Sequence, residues 1–87
     1  MKIKDGFIIR EVAGSYVVVA VGNVAKEFSG IINLNETGAF LWKALEQGAT
    51  EEELIAKLLE EYDVDEATAR ADVAAFVTKL QENKLVK

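Results

Sequence analysis

Carboxylates are the side chains of this 87-residue chain that could most readily do chemistry. The chain has 15 of them, and most lie between residues 46 and 66: Glu46, Glu51, Glu52, Glu53, Glu60, Glu61, Asp63, Asp65 and Glu66. Paired carboxylates can act as general acid and base, and grouped carboxylates can bind hard cations such as Ca²⁺. Both activities also need suitable partner residues and a protected site.

Those partner residues are largely missing. The chain has no His and no Cys, so it lacks the commonest general base, the thiolate nucleophile and the usual zinc ligands. Ser15 and Ser29 are its only serines. The segment Asp63-Val64-Asp65 begins like a calcium loop, but Ala67 and Thr68 occupy the positions of a third ligand and the turn glycine. We therefore expect no enzyme, no metal site and no cofactor, and we interpret the carboxylates as solvated helix faces.

Length and hydropathy predict a single domain over residues 1–87. Hydrophobic residues make up 51% of the chain, which is ample for a core, and there is no Pro to mark a linker. The longest apolar run, residues 16–21, is far shorter than the roughly 20 residues of a membrane span, and residues 1–5 lead into no secretory signal. We expect a cytoplasmic protein that does not enter a membrane.

The first third of the chain is predicted to form a three-stranded antiparallel sheet. Residues 7–12 and 15–21 are rich in β-branched side chains, and Ala13-Gly14 between them is typical of a tight hairpin. Residues 28–34 provide a third strand, in which Gly30 allows a bulge or a close backbone approach.

From Asn35 onward the apolar residues recur with a helical period. Asn35 is a plausible N-cap and Gly48 a helix stop, while Thr50 and Glu53 have the spacing of a capping box. Asp65 can cap a third helix that runs to about residue 82. The predicted core face of that helix is Ala69, Val73, Phe76 and Leu80. Three strands followed by three helices predict an α+β fold of the winged helix-turn-helix kind.

Two residues near the start of the first helix need a structural reason. Gly38 costs about 1 kcal/mol relative to Ala inside a helix, so we expect the helix start to lie too close to neighbouring backbone for a Cβ. Phe40 and Trp42 could anchor an interface, but we favour core packing because the junction of sheet and helices needs bulk.

Two long segments carry a resemblance to a known family. LNETGAFLWKALEQGATEEEL and EEYDVDEATARADVAAFVTKLQENKLV together resemble the PqqD family, small proteins named for pyrroloquinoline quinone synthesis protein D. The strongest parts are the Leu34-Asn35 junction with Trp42 seven residues later, then residues 62–65 and the pair Phe76 and Leu80. Asn83 stands where we would expect Gly, which affects only the helix end.

The resemblance implies a role in natural-product biosynthesis. Members of the family bind the leader of a ribosomally made precursor peptide and present it to a modifying enzyme, often a radical SAM maturase, without catalysis of their own. The leader adds as an extra strand to the third strand and lies against the third helix. The resemblance identifies neither the precursor nor the maturase, and it does not tie the chain to quinone synthesis.

The residues themselves are compatible with such a mechanism. A three-stranded sheet leaves edges with unpaired N–H and C=O groups, and the third strand has neither Pro nor a charged side chain to block its edge. The predicted peptide-binding residues of this strand are Phe28, Gly30, Ile31, Ile32, Asn33 and Leu34. An alternative is that the third helix or a second copy of the chain covers this edge.

The third helix is expected to form the other wall of the binding site. On a helical wheel, one shoulder bears Thr68, Asp72 and Lys79, which we interpret as an ordinary solvated surface. The other shoulder is predicted to contact the peptide through Ala67, Arg70, Ala74 and Val77. Small side chains would leave an apolar channel there and Arg70 could pair with a leader carboxylate, although alanines also simply favour helix.

Other functions fit less well. A winged helix could enter a DNA groove, but the carboxylates at the start of the third helix would repel phosphates, so we expect no nucleic-acid binding. The main alternative is an adaptor or structural module that docks on a partner protein without holding a peptide. A monomer and a dimer formed by hairpin exchange are both compatible with the sequence.

Overall fold

The computed structural model describes residues 1–26 and 31–87 of the chain. The strands are β1 (Phe7–Val12), β2 (Ser15–Ala20) and β3 (Ile32–Leu34), and a short 3₁₀ helix, Gly22–Lys26, follows β2. The helices are α1 (Glu36–Glu46), α2 (Glu51–Glu61) and α3 (Glu66–Glu82). The predicted α+β order is confirmed. The first part of the predicted third strand, residues 28–30, lies outside the described residues.

The sheet is antiparallel with the order β1-β2-β3, so β2 is central. Ala13 and Gly14 join β1 to β2 with φ values of 51° and 81°, which is the two-residue turn that matches the twist of a hairpin. The Val21 N–H donates to the Gly6 carbonyl at 2.8 Å and continues this ladder. The hairpin therefore sets the register of β1 against β2, and β2 pairs in turn with β3.

Each helix begins at the cap that its local sequence predicts. The Asn35 side chain accepts a 2.7 Å hydrogen bond from the Gly38 backbone N–H. Thr50 and Glu53 exchange side-chain and backbone hydrogen bonds of 2.9 and 3.1 Å, which confirms the capping box. The Asp65 carboxylate accepts from the Thr68 backbone N–H at 2.7 Å. These local bonds satisfy N–H groups that a helix leaves without partners at its N-terminus.

The core lies between one face of the sheet and the three helices. Its fully buried side chains include Val18, Leu41, Trp42, Leu45, Leu54, Leu58, Val73, Val77, Leu80 and Leu85. The predicted core face of α3 is confirmed, because Ala69, Val73, Phe76 and Leu80 are all buried. Trp42 belongs to this core, as expected, and Phe40 packs against it beside Tyr62.

The first and last residues of the described chain meet beside this core. Ile3 forms an antiparallel bridge with Val86, and the Lys4 N–H donates to the Leu85 carbonyl at 2.8 Å. The pairing of the two chain ends is thus a single bridge and not a strand.

Candidate functional site

The outer side of β3 presents main-chain groups of Asn33. Val17 lies opposite Arg10 of β1 and opposite Asn33 of β3. Because the two-residue turn makes Val12 and Ser15 a hydrogen-bonded pair, alternation makes Arg10 and Val17 a hydrogen-bonded pair as well. The backbone groups of Val17 therefore point toward β1, and those of Asn33 point away from β2. They lie at the open edge of the sheet, with which no strand in residues 1–26 and 31–87 pairs.

A groove of about 340 Å³ runs beside this edge. Asn33 and Leu34 of β3, together with the start of α1, form one wall, and α3 forms the other. The residues of α1 and its cap that line the groove are Asn35, Thr37, Gly38 and Leu41. The residues of α3 that line it are Asp72, Ala75, Phe76 and Lys79. This volume is in the range of pockets that bind ligands in other proteins.

Gly38 lets the cap of α1 pack closely against β3. A Cβ at this position would lie 3.1 Å from Asn35 Oδ1 and 3.4 Å from the Cβ and Cδ2 atoms of Leu34. These nearest atoms all belong to side chains and not to the neighbouring backbone that we predict from the sequence. A glycine here keeps the groove wall compact.

Lys79 crosses the groove to the strand edge. Its Nζ donates a 3.1 Å hydrogen bond to the Asn33 carbonyl, 46 residues away in sequence. Lysine is a residue that natural edge strands use to discourage unwanted strand pairing. Within the described residues, the outward-facing acceptor of β3 is thus covered by an exposed lysine side chain and not by another strand.

The strand residues predicted from the sequence have different positions in the structure. Asn33 and Leu34 line the groove. Ile31 is 64% exposed and lies just before β3, whereas Ile32 is buried in the core. Phe28 and Gly30 lie outside the described residues.

The helix residues predicted from the sequence do not line this groove. Val77 is only 2% exposed and belongs to the core. Ala67, Arg70 and Ala74 are exposed on other parts of the α3 surface. With 3.6 residues per turn, Arg70 is about 140° around the helix from Ala75. The peptide-binding role of these four residues remains a prediction.

Arg70 is instead held by two carboxylates. Its guanidinium donates to Glu52 of α2 at 2.8 Å and to Glu66, one turn earlier on α3, also at 2.8 Å. The bonds to Glu52 and Glu66 raise the pKa of Arg70, and the Arg70 bond lowers the pKa of the Glu52 carboxyl. Arg70 therefore joins α3 to α2, on the side of the helix away from the groove.

Sequence reasoning missed Asp72, Ala75 and Lys79 as groove residues. From the sequence, Asp72 and Lys79 are interpreted, with Thr68, as an ordinary solvated surface, and Ala75 is not assigned. One available signal was the spacing of Asp72 and Lys79, which places two opposite charges on one face with a small residue between them.

Comparison with known proteins agrees with this architecture. Residues 9–86 match the family described as Coenzyme PQQ synthesis protein D (PqqD). The chain belongs to the PqqD family. No individual curated protein sequence matches it.

Two solved structures resemble this PqqD-family chain along nearly all of its length. TbiB1, solved in complex with the TbiA(beta) leader peptide, is 25% identical with a TM-score of 0.78, over 100% of this chain and 95% of TbiB1. A lasso peptide synthetase B1, complexed with the leader peptide, is 24% identical with a TM-score of 0.75, over 99% and 95% of the two chains. The second likeness shows the fold alone.

Two structural features are absent from the described residues of this PqqD-family chain. No helix within residues 1–26 and 31–87 is long and apolar enough to cross a membrane. The same residues contain no group of three Asp or Glu side chains placed to hold a metal ion.

Proposed function

We propose that this protein is a non-catalytic peptide-binding protein that captures the leader of a ribosomally made precursor and presents it to a modifying enzyme. The observation that carries the proposal is the outward-facing backbone of Asn33 at an open sheet edge, directly beside a groove. The leader adds to β3 as a fourth strand and lies against α3. The modifying enzyme is a separate partner, such as a radical SAM maturase.

The geometry supports this mode of binding. An added strand gains main-chain hydrogen bonds from the edge, and its alternate side chains enter pockets beside it. Here the Asn33 N–H and C=O provide the bonds, and the surface of Ala75 and Phe76 provides an apolar contact. Membership of the PqqD family and the leader peptide bound to TbiB1 support the same role.

Ala74 and Ala75 offer a matched pair of variants for testing the binding wall. Both are exposed alanines in the middle of α3, but only Ala75 lines the groove. We expect Ala75→Arg to weaken binding by at least about tenfold, because a long charged side chain fills the groove, and Ala74→Arg to leave it unchanged. Arginine is a good helix former, so neither change should affect folding.

The ligand for this test is a peptide selected from a displayed library of random 12-residue sequences. Affinity is measured by fluorescence anisotropy, and amide chemical shifts of the labelled protein locate the contact. A loss of affinity in Ala74→Arg alone would move the site to the shoulder predicted from the sequence. Shift changes that avoid both β3 and α3 would instead favour an adaptor that docks without a peptide groove.

A further inference from the structure

The groove carries one positive and one negative charge on its α3 wall. Lys79 and Asp72 are seven residues apart, which is two helical turns and about 10.5 Å along the axis. Both side chains are exposed and both line the groove. Ala75 and Phe76 lie between them on the same wall. The wall therefore has a cationic end, an apolar middle and an anionic end.

Neither charge has an ionic partner in the part of the chain that the structure describes. The ion pairs within 4.0 Å there are Arg70 with Glu52, Arg70 with Glu66, and Lys87 with Asp5. Among the described residues, Lys79 Nζ donates only to the Asn33 carbonyl, and no side-chain hydrogen bond involves the Asp72 carboxylate. Arg70 differs, because its charge is already neutralised.

Strand addition requires Lys79 to move. An added strand places its own N–H about 2.9 Å from the outward carbonyl of Asn33, where the Lys79 ammonium now lies. The four-carbon stem of lysine rotates readily, so this movement costs little. The displaced ammonium remains beside the bound peptide, where a peptide carboxylate can pair with it.

We propose that Lys79 and Asp72 select the charge pattern of the bound peptide. The preferred peptide has an acidic side chain opposite Lys79, a basic side chain opposite Asp72 and an apolar side chain between them. In a strand, side chains on one face are two residues apart, with a rise of about 3.3 Å per residue. Two peptide side chains four residues apart are therefore separated by about 13 Å, slightly more than the 10.5 Å between Asp72 and Lys79 along α3. The long lysine side chain can span this difference. This inference rests on the proposed function and adds a sequence rule for the ligand.

The test compares peptides selected by the wild type with those selected by a charge-swapped variant, Lys79→Glu with Asp72→Lys. The probe is the same displayed library of random 12-residue peptides, read by deep sequencing after selection on the full chain. We expect the wild type to enrich peptides with an acid and a base four residues apart in one order, by roughly two- to fivefold per charge pair. The swapped variant should enrich the opposite order.

A single-site variant checks the two charges separately. Lys79→Gln should lose the preference for an acidic side chain and keep the preference for a basic one. If the wild type and the swapped variant enrich the same charge order, or neither enriches a charge pair, the selection rule is wrong. Both positions are exposed, and the fluorescence of buried Trp42 verifies folding of each variant.

An Asn33→Pro variant distinguishes failure of this rule from failure of the proposed function. Proline deletes the outward N–H of Asn33 and is tolerated on edge strands. If peptides enriched by the wild type bind Asn33→Pro equally well, strand addition to β3 is refuted. If they lose affinity for Asn33→Pro but show no charge pattern, strand addition stands and the charge rule is overturned.

Discussion

Substitution of Gly38 by Ala tests how closely the start of α1 is packed beside the groove. Within a helix, Ala is favoured over Gly by about 1 kcal/mol. The new methyl group would lie 3.1 Å from Asn35 Oδ1, which is tight enough to displace the cap by a few tenths of an ångström. A lost Asn cap costs about 1 kcal/mol. The two effects oppose each other, so we expect Gly38→Ala alone to change the free energy of unfolding by less than about 0.5 kcal/mol.

Removal of the Asn35 side chain should allow Ala at position 38 to stabilise the helix relative to Gly. Asn35→Ala by itself is expected to destabilise the protein by about 1 kcal/mol. In that background the Oδ1 atom is gone, so Gly38→Ala should stabilise by close to the full 1 kcal/mol. The four proteins form a double-mutant cycle with an expected coupling of about 0.5 to 1.5 kcal/mol.

Urea unfolding followed by fluorescence provides the measurement. Trp42 is the only tryptophan and is fully buried, so its emission reports loss of the core. If Gly38→Ala already stabilises the wild type by about 1 kcal/mol, the two substitutions are additive and the proposed crowding does not exist. Since Gly38 also lines the groove, the same variants measure whether the added methyl weakens peptide binding.

Two further predictions concern charged residues at the ends of the helices. The Thr68 N–H holds the pKa of Asp65 below its ordinary value of 3.8 in the folded protein. The cap therefore stabilises the fold fully above the pKa that Asp65 has in the unfolded chain. This stabilisation is lost as the pH falls through the lower pKa that Asp65 has in the folded protein. The unfolding temperature between about pH 5 and pH 2 should therefore depend less on pH in Asp65→Asn than in the wild type. The control is Asp63→Asn, which changes no helix cap and should retain the wild-type dependence. Arg70→Ala breaks exposed ion pairs, one of them with Glu52, so the unfolding temperature should change little. Peptide affinity should also persist in Arg70→Ala, and a clear loss would support the sequence-based assignment of Arg70 to the binding site.

The features predicted well from the sequence depend on short-range chemistry. Asn35, Thr50 with Glu53, and Asp65 each cap a helix through a bond to a backbone group three residues away. The Ala13-Gly14 hairpin is equally local. Such interactions involve few neighbours, so the residue types and their spacing are sufficient to predict them.

The orientation of α3 was harder to predict because it depends on distant contacts. A helical wheel separates the core face from two shoulders, but it does not determine which shoulder faces β3. That choice follows from how α3 packs on α2 and the sheet. In the structure the Arg70 side meets α2, and the Lys79 side meets Asn33. Both are contacts between residues far apart in sequence.

The shortness of β3 has a consequence for how long a peptide stays bound. In β3 as described, Asn33 alone turns its backbone outward, offering one donor and one acceptor, and each such bond contributes only about 1 kcal/mol net. Affinity differences among related complexes arise mainly from dissociation rates. Two main-chain hydrogen bonds therefore imply fast dissociation and a brief residence time of the peptide. Rapid release suits a carrier that must hand over one substrate and be ready for the next.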